Sequence, residues 1–93
     1  SRMVAYKIVY TKDAVKDIPK LKAAHLDGKA RALFEIIKEN PFKTPPPYEN
    51  LLGNLDGAYS RRINIQHRLV YEISEEEKTV KILSMWSHYE QIR

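Results

Sequence analysis

The stretch Tyr59-Ser-Arg-Arg-Ile-Asn-Ile-Gln-His-Arg-Leu-Val-Tyr71 decides how the rest of the chain is arranged. It predicts two short strands, residues 59–63 and 67–73, because β-branched and aromatic residues recur and the three residues between them suit a hairpin. Alternation along the second strand places apolar side chains on one face and Arg68 on the other. The hairpin therefore has one face for a core and one face that carries arginine.

Upstream of the hairpin, the sequence predicts one strand and two helices. Residues 4–10 are rich in β-branched and aromatic side chains, which favours a strand. Apolar residues recur every three or four positions over residues 12–24 and again over residues 28–39, and Asp27 is the expected cap of the second helix. Residues 41–57 then form a long connection to the hairpin.

Downstream of the hairpin, residues 79–87 are predicted as a last strand. The element order is therefore β-α-α-β-β-β, which indicates an α+β fold with two N-terminal helices packed on a small, mainly antiparallel sheet. The 93 residues are expected to form a single domain over residues 1–93. Ser1 and Arg2 are expected to be an addition ahead of a natural start at Met3.

Composition limits the kinds of chemistry that this chain can support. The sequence has no cysteine, which excludes disulfides and thiolate metal sites and is compatible with a reducing cytoplasm. It also lacks an apolar run long enough to span a membrane. The net charge is +4, and residues 1–44 hold ten Lys or Arg against five Asp or Glu, a balance of +5. This excess fits an anionic partner such as nucleic acid or an acidic protein, or a merely solvated surface.

The arginines of the hairpin and three residues outside it are candidates for chemistry. Arginine offers paired donors that match phosphate oxygens, although an arginine pair on a strand also serves as a solvated face or an ion-pair partner. An imidazole such as His88 can exchange a proton near neutral pH, a carboxylate such as Glu49 can act as a base, and Tyr89 can stack on a nucleotide base. The three histidines lie far apart and lack metal-ligand spacing, so no metal site is predicted.

The hairpin and the chain end together resemble a known family. The Ser-Arg-Arg-Ile and His-Arg-Leu-Val-Tyr runs, followed by His88-Tyr89, closely resemble the YoeB/Txe family of bacterial toxins. That family belongs to the RelE-like group of ribosome-dependent mRNA interferases. The resemblance implies a small α+β fold akin to microbial ribonucleases and an endoribonuclease that uses neither metal nor cofactor.

The resemblance also implies a role for each matching residue. Glu49 would be the general base that takes a proton from the ribose 2′-hydroxyl, and His88 the general acid that protonates the leaving 5′-oxygen. Arg68 would stabilise the charge of the transition state, and Tyr89 would position the RNA. Supporting contacts to RNA would come from Tyr59, Arg61 and Arg62.

The implied partners are mRNA on the ribosome, with contacts to ribosomal RNA, and a cognate YefM/Phd-like antitoxin protein. A homodimer is a further possibility, the location would be the bacterial cytoplasm, and no membrane is involved. Three departures from the family pattern bear on the strength of catalysis: Leu52, Trp86 and the four residues 90–93 that follow Tyr89. Two alternatives stay open, a non-catalytic RNA-binding module and a toxin of the same fold that acts on a protein such as gyrase.

Overall fold

The structure, a computed structural model, describes residues 5–50 and 57–86. It confirms the predicted element order and adds one short strand to it. The seven elements, in chain order, are β1 (Lys7–Tyr10), α1 (Lys12–Ala23), α2 (Asp27–Glu39), β2 (Tyr48–Asn50), β3 (Ala58–Arg62), β4 (Arg68–Ser74) and β5 (Thr79–Ser84). The additional strand, β2, arises from the segment that the sequence predicts as a long connection.

The strands form one sheet in the order β1-β5-β4-β3-β2. β1 pairs with β5 in parallel, and the three other neighbouring pairs are antiparallel. The predicted mainly antiparallel α+β fold is therefore confirmed. β2 lies at the edge of the sheet, where it has a single neighbouring strand, and β1 lies at the opposite edge.

Helix α1 begins where the sequence predicts, at Lys12. The Thr11 side chain accepts a hydrogen bond from the Ala14 backbone N–H at 3.1 Å, which satisfies one of the free donors of the first turn. The same hydroxyl donates to the Leu83 carbonyl at 3.2 Å. One side chain therefore caps the helix and ties it to β5.

Helix α2 begins one residue earlier than predicted, and the prediction that Asp27 caps it is wrong. Asp27 is the first helical residue, the capping position is held by Leu26, and no side-chain hydrogen bond closes this end. Asp27 instead lies 3.8 Å from Arg31 one turn later. Its negative charge in the first turn still interacts favourably with the positive end of the helix dipole.

The core lies between the two helices and one face of the sheet. Leu69 and Tyr71 of β4 point into it, as the predicted alternation requires, and both are completely buried. Asp17 of α1 is also buried and accepts a hydrogen bond from the Met85 backbone N–H at 2.9 Å, which fastens the helix to the end of β5. Neither helix within the described residues is long and apolar enough to cross a membrane.

Candidate active site

The register of β2, β3 and β4 gathers four polar residues on one face of the sheet. Glu49 of β2 pairs with Ser60 of β3, and Arg62 of β3 pairs with Arg68 of β4. Directly paired residues of antiparallel strands carry their side chains on the same face, and so do residues two apart on one strand. Because Leu69 points into the core, the four lie on the face turned away from the helices, which we call the outer face.

Ser60 and Glu49 hold the Arg68 side chain in a fixed orientation on this face. Its Nε donates to Ser60 Oγ at 2.5 Å, and its Nη2 donates to Glu49 Oε1 at 3.0 Å. The Arg68 side chain is 11% exposed, whereas the Glu49 side chain is 58% exposed. The guanidinium is therefore anchored in the sheet, and the carboxylate lies open to an incoming molecule.

An open cleft of about 570 Å³ runs past this pair. The turn between β3 and β4 forms one side of it, and the end of the proline run forms the other. Ile65, at the tip of the turn, is 82% exposed. The residues that line the cleft are Pro46, Pro47, Glu49, Arg62, Ile63, Asn64, Ile65 and Arg68.

The charges in the cleft suit an anionic substrate. Arg62 and Arg68 contribute two positive charges against the single negative charge of Glu49. A guanidinium binds phosphate oxygens through paired, charge-assisted hydrogen bonds. A carboxylate beside it can accept a proton from a hydroxyl group, so the arrangement provides both a base and a group that stabilises negative charge.

Arg61, predicted as an RNA contact, is instead completely buried on the core side of the sheet. It lies between Ser60 and Arg62, so strand alternation turns its side chain away from the outer face. Its Nε donates to Tyr71 Oη at 2.9 Å, and its two terminal nitrogens donate to three backbone carbonyls. The prediction is therefore wrong for Arg61 in this arrangement, because none of its surface is available to RNA.

The Tyr71 hydroxyl, which accepts the hydrogen bond from Arg61, has a shifted pKa. Burial raises the pKa of Tyr71 above its ordinary value, and the hydrogen bond from Arg61 only partly opposes this effect. Tyr71 therefore stays neutral while it accepts the hydrogen bond from the guanidinium.

Tyr59 also lies on the face opposite to Glu49. Its ring packs edge-on against Phe42 and Tyr48, with centroids 5.6 and 5.7 Å apart, and stacks on Tyr71 at 6.0 Å. These contacts assign Tyr59 to an aromatic cluster beneath the sheet edge. Of the three residues predicted to support RNA binding, Arg62 is the one that the structure places in the cleft.

The start of β4 and the end of β5 are joined by His67 and Trp86. The two rings stack with centroids 4.0 Å apart and planes 16° apart, and His67 Nδ1–H donates to the Trp86 carbonyl. Trp86 precedes His88 by two residues. The contact therefore places Trp86 against His67, the residue that precedes Arg68. His88, Tyr89 and Leu52 lie outside the described residues, so their predicted roles stay predictions.

Ser60 is the residue of this site that sequence reasoning missed. A serine in a strand carries no distinctive signal, and attention falls on the arginines that follow it. The available signal is alternation, since Ser60 is two residues before Arg62 and so shares its face. Its burial beneath Arg68 depends on the pairing of β3 with β4, which the sequence alone does not measure.

Comparison with known proteins matches most of the chain to one family. A family model described as the YoeB-like toxin of bacterial type II toxin–antitoxin systems matches residues 10–89. The chain is 41% identical to a toxin YoeB from Synechocystis sp. over 58 residues, which is 62% of this chain. The aligned stretches span between 52% and 65% of the length of the curated relatives that it matches.

Solved structures resemble the chain over nearly its whole length. A YoeB/ParE toxin from Agrobacterium tumefaciens superimposes with a TM-score of 0.81 at 29% identity and covers 89% of this chain and 99% of its own. YoeB from Staphylococcus aureus, at 32% identity, has been solved as a dimer, with a TM-score of 0.78, covering 91% of this chain and 99% of its own. It has also been solved in a heterotetrameric complex with YefM, with a TM-score of 0.76, covering 96% of this chain and 100% of its own.

Proposed function

This chain belongs to the YoeB-like toxins of bacterial type II toxin–antitoxin systems, and on that premise we propose that it is a ribosome-dependent endoribonuclease that cleaves mRNA during translation. The observation that carries the proposal is the contact between Glu49 and Arg68 in an exposed, cationic cleft. A base beside an anchored guanidinium supplies two of the three functions that transesterification at an RNA phosphate uses, and we assign the third, the general acid, to His88.

In the proposed reaction, Glu49 accepts the proton of a ribose 2′-hydroxyl, and the 2′-oxygen forms a bond to the adjacent phosphorus. Negative charge develops on the non-bridging oxygens, where the Arg68 guanidinium stabilises it. The bond from phosphorus to the 5′-oxygen then breaks, and His88 supplies the proton that this oxygen takes up. The products are a 2′,3′-cyclic phosphate and a free 5′-hydroxyl.

The exposed position of Glu49 fits this sequence of events. In the structure, the Glu49 carboxylate neutralises Arg68 across 3.0 Å. A phosphate that enters the cleft competes for the same guanidinium donors, and Arg68 keeps its orientation because Ser60 holds its Nε. The carboxylate is thereby released towards the 2′-hydroxyl. Substrate binding and activation of the base are coupled through one arginine.

The proposed partners follow from the relatives. YoeB from Staphylococcus aureus forms a heterotetramer with YefM and has also been solved as a dimer. We infer for this chain a YefM-like antitoxin that neutralises it in the bacterial cytoplasm, and self-association as a dimer. The basic excess over residues 1–44 supports contacts with ribosomal RNA, because neutralising phosphates with Lys and Arg releases bound counterions.

The test is to add the purified chain to ribosomes carrying a defined mRNA and to map the new RNA ends. We expect a cut near the aminoacyl-site codon, and the cleavage rate to fall by roughly 10²- to 10⁴-fold in Glu49→Gln. Arg68→Gln is expected to behave in the same way. Glu72→Gln is the matched control, because Glu72 is an exposed glutamate on the same face of β4 as Arg68.

Two results would overturn the proposal. The first is a wild-type chain that arrests growth but leaves mRNA on ribosomes intact, which would point to a protein target. The second is a chain that binds RNA without cutting it and binds equally well after Glu49→Gln, which would indicate a binding module.

A further inference from the structure

Arg61 is a buried cation that binds one segment of the chain at three points. Its Nη1 donates to the Pro46 carbonyl at 2.5 Å, and its Nη2 donates to the carbonyls of Pro41 and Lys43 at 3.0 and 2.8 Å. All three carbonyls belong to the segment of residues 41–46 between α2 and β2. Its last anchored residue precedes Glu49 by three positions.

Among residues 5–50 and 57–86, no acidic side chain lies within ion-pair distance of Arg61. The Tyr48 ring lies 5.2 Å from its guanidinium carbon. Burying a charge is costly, and an apolar side chain of similar size often gives equal or better stability at such positions. What arginine adds is a rigid, planar set of donors that fixes several carbonyls relative to one another.

The segment that Arg61 holds leads directly into β2, which is also anchored by the contacts of the Tyr48 ring with Phe42 and Tyr59. β2 is a three-residue strand at the sheet edge and pairs on one side with β3. Tyr48 pairs with Arg61 itself, and the next residue, Glu49, pairs with Ser60. The position of the Glu49 carboxylate relative to Arg68 therefore depends on how the preceding segment is anchored.

We propose that Arg61 is a positioning residue, which acts through the segment of residues 41–46 to hold Glu49 beside Arg68 in the competent geometry. This inference rests on the proposed function and deepens it. It gives the neighbouring arginines of β3 different tasks on different faces: Arg62 lines the cleft, and Arg61 sets the position of the base from beneath the sheet. A displacement of about 1 Å at a reacting group can cost roughly 10²-fold in rate.

The central experiment is a double-mutant cycle between Arg61→Lys and Glu49→Gln, with cleavage on programmed ribosomes as the readout. Lysine keeps the charge and loses the planar set of donors. We expect Arg61→Lys alone to lower kcat by roughly 10- to 100-fold with little change in KM. Added to Glu49→Gln, it is expected to lower kcat no further, because a residue that acts through Glu49 has nothing left to position.

Two control variants separate positioning from general damage. Tyr71→Phe removes one partner of Arg61 and the 3.5 Å hydrogen bond from Tyr71 Oη to the Pro41 carbonyl, but it leaves the three contacts between Arg61 and the carbonyls, so it is expected to keep most of its cleavage rate. Arg31→Lys makes the same chemical change on the exposed face of α2. Additive losses in the cycle would overturn the proposal, and so would a loss in Tyr71→Phe as large as that in Arg61→Lys.

A measurement on the wild-type chain tests whether Arg61 anchors β2, even if Arg61→Lys does not fold. Hydrogen exchange of the Arg61 Nε–H and of those β2 backbone amides that are hydrogen-bonded to β3 is expected to report the same opening free energy, because the two open together. Hydrogen-bonded β2 amides that exchange much faster than the Arg61 Nε–H would overturn the proposal. A chain that cuts no mRNA but shows coupled exchange would refute the proposed reaction while keeping the anchoring by Arg61.

Discussion

Glu49 and Arg68 make their contact across an intervening strand. They belong to β2 and β4, with β3 between them, and yet their side chains meet at 3.0 Å. Adjacent strands lie about 4.8 Å apart, so β2 and β4 lie roughly 9.6 Å apart, and Glu49 is also two residues out of register with Arg68. The long Arg68 side chain covers this distance because the residue beneath it is Ser60, which is small and accepts its Nε–H.

The first prediction separates the effect of Glu49 on stability from its effect on cleavage. Glu49→Gln is expected to change the free energy of unfolding by less than about 1 kcal/mol, because an ion pair with one well-exposed partner contributes little to stability. The same substitution is expected to abolish most of the cleavage. Urea unfolding followed by circular dichroism checks the stability. A loss of several kcal/mol would show that the pair serves the fold instead of the reaction.

The second prediction concerns Ser60. Ser60→Ala removes the acceptor for Arg68 Nε and leaves the contact with Glu49, so the guanidinium loses one of its anchors. We expect a stability loss of about 0.5–1.5 kcal/mol. The cleavage rate is expected to fall by roughly tenfold, because the stabilising group is no longer held in place.

Ser74→Ala is the matched control for Ser60→Ala. Ser74 lies at the far end of β4, where its hydroxyl accepts a hydrogen bond from the Glu77 backbone N–H. Ser74→Ala therefore also removes a hydrogen bond that a serine hydroxyl accepts, but at a position away from the cleft. Equal cleavage rates for the two variants, at equal stability, would contradict a role for Ser60 in orienting Arg68.

The hairpin illustrates how far the sequence predicts this fold. The period-two pattern places Leu69 and Tyr71 in the core and Arg68 on the outer face, and the structure confirms this division. The same rule applied to the adjacent arginines separates Arg61 from Arg62. Reading the two as one basic cluster concealed that separation, and the RNA contact predicted for Arg61 was wrong for that reason.

β2 was not predictable in the same way. Its three residues, Tyr48–Asn50, follow a proline run and show no alternation that would indicate a strand. They become a strand because the edge of β3 offers unpaired backbone groups, which is a property of the tertiary fold. The sequence could thus indicate Glu49 as a base, by resemblance, without indicating that its distance to Arg68 is set by a sheet edge.

The third prediction concerns the buried aspartate of α1. Asp17→Ala leaves the Met85 backbone N–H without its acceptor, which is expected to cost about 1–3 kcal/mol. Asp17→Asn keeps an oxygen acceptor at that position and is expected to lose less. Asp13→Ala, at an exposed site on the same helix, is the control. Chemical denaturation of the three variants checks this order, and an equal loss in all three would contradict it.

The fourth prediction is that ionisation of Tyr71 makes the stability of the folded chain depend on pH in the alkaline range. Burial raises the pKa of Tyr71 in the folded state, so the unfolded chain releases this proton first, near pH 10. The contribution of Tyr71 to stability is therefore fully present below about pH 10 and is lost as pH rises towards the folded-state pKa. Tyr71→Phe has no such proton to lose.

The comparison of wild type with Tyr71→Phe isolates this effect from that of other groups that titrate in the same range. At neutral pH, wild type is expected to be more stable by about 1–3 kcal/mol, because phenylalanine leaves the Nε–H of buried Arg61 without its acceptor. Above about pH 10, the advantage is expected to shrink by at most about 1.4 kcal/mol per pH unit. Urea unfolding at a series of pH values measures it. An advantage that stays constant or grows above this pH would contradict the raised pKa.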